Sequence, residues 1–328
     1  MSALANHPGR RRTLATALGL VVSSVLPAVH AQPGWPLRPL KIVVGFPGGS
    51  SPDLMARLLA EPLSQALGQP VIVENKPGAG GNIAAAQVAR ATDDHTIGLM
   101  INGNLTIAKI LNPGLPYDPL QDLSPVSLIA VAPLVLCAPS GSPAGPAFFS
   151  AARQSGTAWS YGTPGIGTVA HLGMELLKRR ASMAPVHVPY PGNPQVIAGL
   201  LGEQIQLALL PPGLAMAQVR ASKLSAIGVT SAGRSSVVPE LASLAEIGVP
   251  NLHLEIWNAV AVPNSLPKTH VNRLASLLSD IVRRDDIRQK LMAQGWQVVG
   301  TSPEGLRRRI ASDTATMADV IRLNNIRT

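Results

Sequence analysis

The chain has 328 residues, of which 46% are hydrophobic and 14% charged, and it carries a formal net charge of +9. That length suits two domains of ordinary size, each able to bury its own core. Aromatic residues make up only 3% and no basic stripe is interleaved with them, so nucleic acid is not an expected partner.

Arg10, Arg11 and Arg12 form a basic head, followed by an apolar run over 14–26 that Pro27 interrupts and a site ending in Ala31. This pattern reads as a secretory signal removed after Ala31, giving a periplasmic protein. The run is shorter than the ~20 residues of a membrane span. Arg11-Arg12-Thr13-Leu14 also resembles a twin-arginine signal, so the export route stays open. Loss of 1–31 removes three arginines and no acid, which lowers the charge from +9 to +6. Such a balance biases encounters toward anions only weakly at physiological salt. Cys137, the only cysteine, sits in an apolar run and reads as a buried structural thiol.

Beyond the leader the pattern is β then α, repeated. Residues 40–44 read as a buried strand and 54–67 as a helix, with Ser51 as cap and Pro52 as first helical residue. A strand at 71–74, a glycine-rich turn at 75–81, a helix at 83–91, a strand at 96–101 and a helix at 105–111 follow. A second series has strands at 134–138, 159–162, 186–188, 205–209 and 225–229, with helices at 168–180 and 195–201. This alternation predicts an α/β fold with mostly parallel sheets. One long helix is expected over 267–293, then a short strand at 296–299 and a capped final helix. The apolar runs 134–138 and 259–262 suit paired crossings between two lobes, with a ligand cleft at the hinge. The expected division is lobe 1 at 32–133 plus 257–328, and lobe 2 at 134–256.

Catalytic constellations are missing. There is no G-x-S-x-G elbow and no phosphate-binding G-x-x-x-x-G-K-[ST] loop, and no enzyme or cofactor is expected. Gly165-Ile166-Gly167-Thr168-Val169-Ala170 has dinucleotide-type glycine spacing, but no acid stands near the end of the next strand to hold a ribose. His171 and Glu175 share a helix face without a third ligand, so no metal site is expected. What the glycine loop does provide is free backbone N–H at a helix start, an anion site. The same chemistry recurs at 48–53, 102–104 and 190–193. Four such loops, each between a strand and a helix, point to a carboxylate cleft.

Phe46-Pro47-Gly48-Gly49-Ser50-Ser51-Pro52-Asp53, Val73-Glu74-Asn75-Lys76-Pro77-Gly78-Ala79-Gly80-Gly81-Asn82, Leu115-Pro116-Tyr117-Asp118-Pro119, Tyr161-Gly162-Thr163, His187-Val188-Pro189-Tyr190 and Val229-Thr230-Ser231 occur in that order. Together they resemble the Bug family, the receptors of tripartite tricarboxylate transporters, over essentially the whole mature chain. The resemblance implies a type II periplasmic-binding fold that holds a ligand carboxylate through backbone groups and ordered water. It also implies a monomer that serves membrane transporter subunits or, in some members, a sensor protein. The chain departs from the family at Ser50, at Asn102-Gly103-Asn104, and at Leu210-Pro211-Pro212, where many members carry an aspartate.

The residues expected to touch ligand are Phe46, Gly49, Ser50, Ser51, Asp53, Asn102, Asn104, Thr163, Gly165, Gly167, Thr168, His171, Tyr190 and Pro211. Backbone N–H groups at 50–53 and 165–168, with the hydroxyls of Ser51 and Thr168, are expected to hold the carboxylate. Asp53 is expected to serve its helix N-terminus. With no acid at 210–212, a carboxylate with an apolar or aromatic body is expected over a zwitterionic amino acid.

Overall fold

In the computed structural model, which describes residues 34–326, β1 (Leu40–Val44) pairs in parallel with β2 (Val71–Asn75) and β3 (Thr96–Ile101). The expected leader lies outside the described residues. Between these strands run α1 (Ser51–Leu67) and α2 (Asn82–Ala89). Ser50, with extended backbone, is the N-cap of α1, so Ser51 rather than Pro52 is the first helical residue. Pro52 at the second position still sacrifices no intrahelical bond. After β3 the chain takes a π-helical turn (Gly103–Ile107) and α3 (Ala108–Leu111).

The chain then crosses between two sheets. β4 (Leu123–Pro133) belongs to the first sheet and β5 (Val135–Pro139) to the second, with Leu134 between them. The second sheet continues through α4 (Pro146–Ser155), β6 (Ser160–Thr163), α5 (Val169–Arg180), β7 (Val186–Pro189), α6 (Asn193–Leu201), β8 (Leu207–Leu210), α7 (Pro212–Arg220) and β9 (Leu224–Val229). β10 (Glu255–Pro263) re-enters the first sheet, followed by α8 (Lys268–Arg283), α9 (Asp285–Ala293), β11 (Gln297–Val298) and α10 (Pro303–Leu323). The sheet orders are β11-β4-β10-β3-β1-β2 and β7-β6-β8-β5-β9.

Neither sheet is mostly parallel. β10 runs antiparallel to β3 and β4, and β5 runs antiparallel to β8 and β9. One crossing strand leaves the first sheet and the other returns to it, so adjacent crossings oppose each other. The expected single helix over 267–293 is two helices, because Arg284 takes extended backbone at φ −59°, ψ 137°. The break lets Ile281 and Val282 on one side and Ile287 and Leu291 on the other reach the same core.

Each sheet is covered on both faces by separate apolar clusters. Leu59, Leu63, Leu274 and Leu278 from α1 and α8 cover one face of the first sheet, and Ala85, Val88, Leu306 and Ile310 from α2 and α10 the other. α10 does not serve the first sheet alone. Its later residues Met317, Val320 and Ile321, with Ile326 beyond its end, pack on the core of the second sheet. The helix therefore ties the cores of the two sheets together.

Trp257 on β10 is fully buried and donates its indole N–H to Asp313 of α10 at 2.7 Å. Arg309 holds the same carboxylate at 2.9 Å and reaches Glu255 at 3.0 Å. Asp313→Ala leaves the indole N–H buried without an acceptor, so urea unfolding should show a loss of about 1–3 kcal/mol. An unchanged midpoint and slope would mean that the network adds nothing to stability.

Candidate functional site

Four helix starts converge on one cavity: Ser51 and Pro52 of α1, Thr168 to Ala170 at α5, Asn193 of α6, and Pro211 capping α7. The cavity has about 440 Å³ of space between its atoms, part of it open to solvent. Phe46, Ile101, Leu134, Leu209, Ile256, Trp257 and Trp296 supply apolar walls. No charged or titratable side chain lines it among the described residues.

First-turn N–H groups have no intrahelical acceptor. Among the described residues, those of Ser51, Val169, Ala170 and Asn193 have no other acceptor either. Each helix start also carries about half a positive charge from its aligned peptide dipoles. The cavity is therefore positive without a single cationic side chain.

Asp53 lies behind this site. Its carboxylate accepts from Gly49 N–H at 2.9 Å, Asn75 Nδ2 at 2.9 Å and Arg57 Nε at 3.1 Å. Burial works to raise its pKa, but these hydrogen bonds and the Arg57 charge outweigh that and hold it below the ordinary value. Asp53 thus braces the loop before α1, and it consumes the N–H of Gly49, a residue expected at the ligand. Asn75 also donates to the Phe46 carbonyl at 2.9 Å, which fixes Phe46 at the cavity wall.

The loop before α5 is equally braced. Thr168 is the N-cap; its hydroxyl accepts from His171 N–H and donates to the Gly165 carbonyl at 2.8 Å. Gly165 N–H goes to Thr163 Oγ1 and Gly167 N–H to His171 Nδ1. The donors expected at Gly165, Gly167 and the Thr168 hydroxyl are thus already spent, and the free ones lie one or two residues on, at Val169 and Ala170. Behind the loop, Thr163 Oγ1 pairs with His187 Nε2 at 2.7 Å, and His187 stacks on both His171 and Tyr161. Tyr161 donates to Glu175, which also meets Lys178 at 2.9 Å.

Burial and then the neighbouring His171 push the pKa of His187 down to about 4, and burial lowers that of His171. An unfolded histidine titrates near 6.5, so below that pH the unfolded chain takes up protons that folded His187 refuses until about pH 4. Stability must fall as pH drops through this window. Melting temperature followed from pH 7.5 to 4.5 should decline more steeply for the wild type than for His187→Gln. Parallel curves would remove His187 from the acid response.

The two sides of the cleft meet through glycines. A Cβ on Gly165 would stand 2.8 Å from Gly80 Cα, and one on Gly192 would stand 2.6 Å from Pro47 Cδ. Gly103 has helical backbone, so alanine is unstrained there, yet its Cβ would sit 2.7 Å from the Gly167 carbonyl oxygen. Gly103→Ala therefore acts as a wedge. Ligand affinity should drop tenfold or more while the free protein keeps its stability or gains up to about 1 kcal/mol. Full affinity in this variant would show that the observed approach is not needed for binding.

Of the residues expected at the ligand, Phe46, Ser51, Asn102, Thr168 and Pro211 line the cavity. Ser50 is fully buried beside it, with its hydroxyl unpaired. Asn104 does not line it: its amide donates to Gly80 O at 3.0 Å and Asn82 Oδ1 at 2.8 Å and braces the glycine turn. Thr163 and His171 support the loop from behind. Gly165, Gly167 and Tyr190 lie in an outer cleft with Pro77 to Gly80. Trp257, Asn258 and Trp296 line the cavity without having been expected there, and Asn193 does so from the 190–193 loop expected at the cleft. Asn258 did carry a signal, as the one polar side chain within the run Ile256 to Val262.

Residues 55–326 match the family described as tripartite tricarboxylate transporter family receptor, TctC. Among solved structures, the periplasmic binding protein BugD is 28% identical with a TM-score of 0.85, covering 89% of this chain and 99% of that one. MatC from Rhodopseudomonas palustris, with bound malate, is 28% identical with a TM-score of 0.83, covering 88% and 100%. Rpa4515 of R. palustris, with adipate, is 29% identical with a TM-score of 0.86, covering 90% and 99%.

Proposed function

Because this chain belongs to the tripartite tricarboxylate transporter receptor family, whose solved relatives include BugD, we propose that it is a periplasmic receptor that captures a small organic carboxylate between its lobes and presents it to a membrane transporter. One observation carries this reading: three helix starts, those of α1, α5 and α6, bring unpaired N–H groups to a cavity without charged side chains. Hydrogen bonds to a charged group are worth about 1.5–3 kcal/mol each, so a carboxylate there needs no arginine. Malate in MatC and adipate in Rpa4515 are of the same chemical class.

The lining hydroxyls, Ser51 and Thr168, have no general acid or base beside them in the lining to activate them, which supports binding without catalysis. The lobes are 32–133 with most of 257–328, and 134–256, turning about Leu134 and the chain entering β10. Closure brings the glycine loops together over the ligand. The leader 1–31 directs the chain to the periplasm, where it works as a monomer.

Protein isolated from the periplasm and denatured should release a small carboxylate identifiable by mass spectrometry, and its chain should begin near Gln32. Re-adding that acid to stripped protein should compact it in small-angle scattering. Release of only a cation or an uncharged solute would refute the carboxylate reading.

A further inference from the structure

The cavity contains a second chemistry that the helix starts do not use. Asn258 is 1% exposed, lies at the centre of the first sheet, and has both side-chain amide atoms without a protein partner. Asn102, 3% exposed, donates its Nδ2 to the Glu255 carbonyl at 3.0 Å, which fixes the amide so that its Oδ1 is the free atom. Asn193 Oδ1 is likewise buried and unpaired. All three asparagines line the cavity. Unpaired buried polar atoms are uncommon in native proteins and costly to keep. Four such atoms on three asparagines of one cavity therefore point to a ligand.

The count of donors and acceptors limits what that ligand carries. The asparagines present three acceptors, the Oδ1 atoms of Asn102, Asn193 and Asn258, against one buried unpaired donor, Asn258 Nδ2. A second carboxylate is acceptor-only, so it would face three oxygens with one N–H. An ammonium would have oxygens enough, but it would sit among positive helix starts with no anionic side chain in the lining. A hydroxyl or a primary carboxamide both donates and accepts, which is what Asn258 requires of its partner.

We propose that Asn258, with Asn102 and Asn193, determines specificity for a carboxylate whose body bears a neutral donor–acceptor group, a hydroxyl or a carboxamide. This rests on the carboxylate reading and narrows it. It also modifies the expectation of a wholly apolar body while keeping the preference against an ammonium.

The test uses the full mature protein and acids of three to six carbons that differ only in the terminal group: methyl, hydroxyl, carboxamide, carboxylate or ammonium. Titration calorimetry should rank the best hydroxyl or carboxamide acid roughly tenfold or more above its methyl, carboxylate and ammonium counterparts. Asn258→Leu should remove that advantage and raise the melting temperature of ligand-free protein. If methyl acids bind as tightly as their hydroxyl and carboxamide counterparts, or the dicarboxylate or amino acid wins, the proposal falls while the carboxylate receptor stands. If no acid in the series binds, both fall. The wild-type ranking alone decides the matter should Asn258→Leu not fold. A folded Asn258→Leu with an unchanged ranking would overturn the role of Asn258, since solvent would then suffice for its amide.

Discussion

Positive helix ends directed at a common point are the constraint on which this molecule depends. Without an anion, like dipole ends face each other and first-turn N–H groups stay unpaired, and both effects favour separation of the lobes. An anion between them reverses the sign of that interaction. On the proposed function, capture and closure are the same event, because a carboxylate would complete the hydrogen bonding of both sides at once. This also explains why the cavity needs no arginine. A flexible cation would have to be ordered on binding, whereas backbone N–H groups on capped helices are already placed.

Such placement has to be maintained from behind. Asp53 spends its carboxylate on Gly49, Arg57 and Asn75, and Thr168 spends its hydroxyl on both ends of its own loop. His171, His187, Tyr161 and Glu175 extend that bracing into the second lobe. These residues carry the most recognisable polar chemistry of the sequence, yet all but Thr168 stand one layer outside the cavity. The groups that meet it are plainer: main-chain N–H, asparagine amides and apolar walls.

That division decides what could be read from the sequence. The strands β1 and β3 and the cap-to-Gly68 span of α1 were legible because β-branched runs and capping residues are local signals. β4 was not, since Pro125 and Pro133 and an almost uninterrupted buried run obscure its alternation. The break at Arg284 leaves no mark in the sequence pattern because helical periodicity resumes in nearly the same phase after one extended residue. At the site, each of the four loops that composition singles out contributes a residue to the cavity lining. Gly165 and Gly167 nevertheless do different work from that expected, because which N–H is free depends on where Thr163 and His171 point. Asn258 and Trp296 come from the other side of the crossing, more than 60 residues beyond the last of the four glycine loops, and only the β10 and β11 placements bring them in.

A buried asparagine with no protein partner also bears on how this fold is distributed in free energy. The sheets are covered on both faces by large apolar clusters, and α10 links their cores, so the scaffold can tolerate a few unsatisfied groups at its centre. Replacing Asn258 by a hydrocarbon would suit the surrounding strand better than the native residue does, since its neighbours Ala259 to Val262 are apolar and buried. Local propensity, packing and polar satisfaction agree along the rest of β10 and disagree at this one position. Where consistency fails at a single residue inside a cavity, the missing partner belongs to the ligand, and the stability forgone in the free protein is returned as discrimination between acids of similar size.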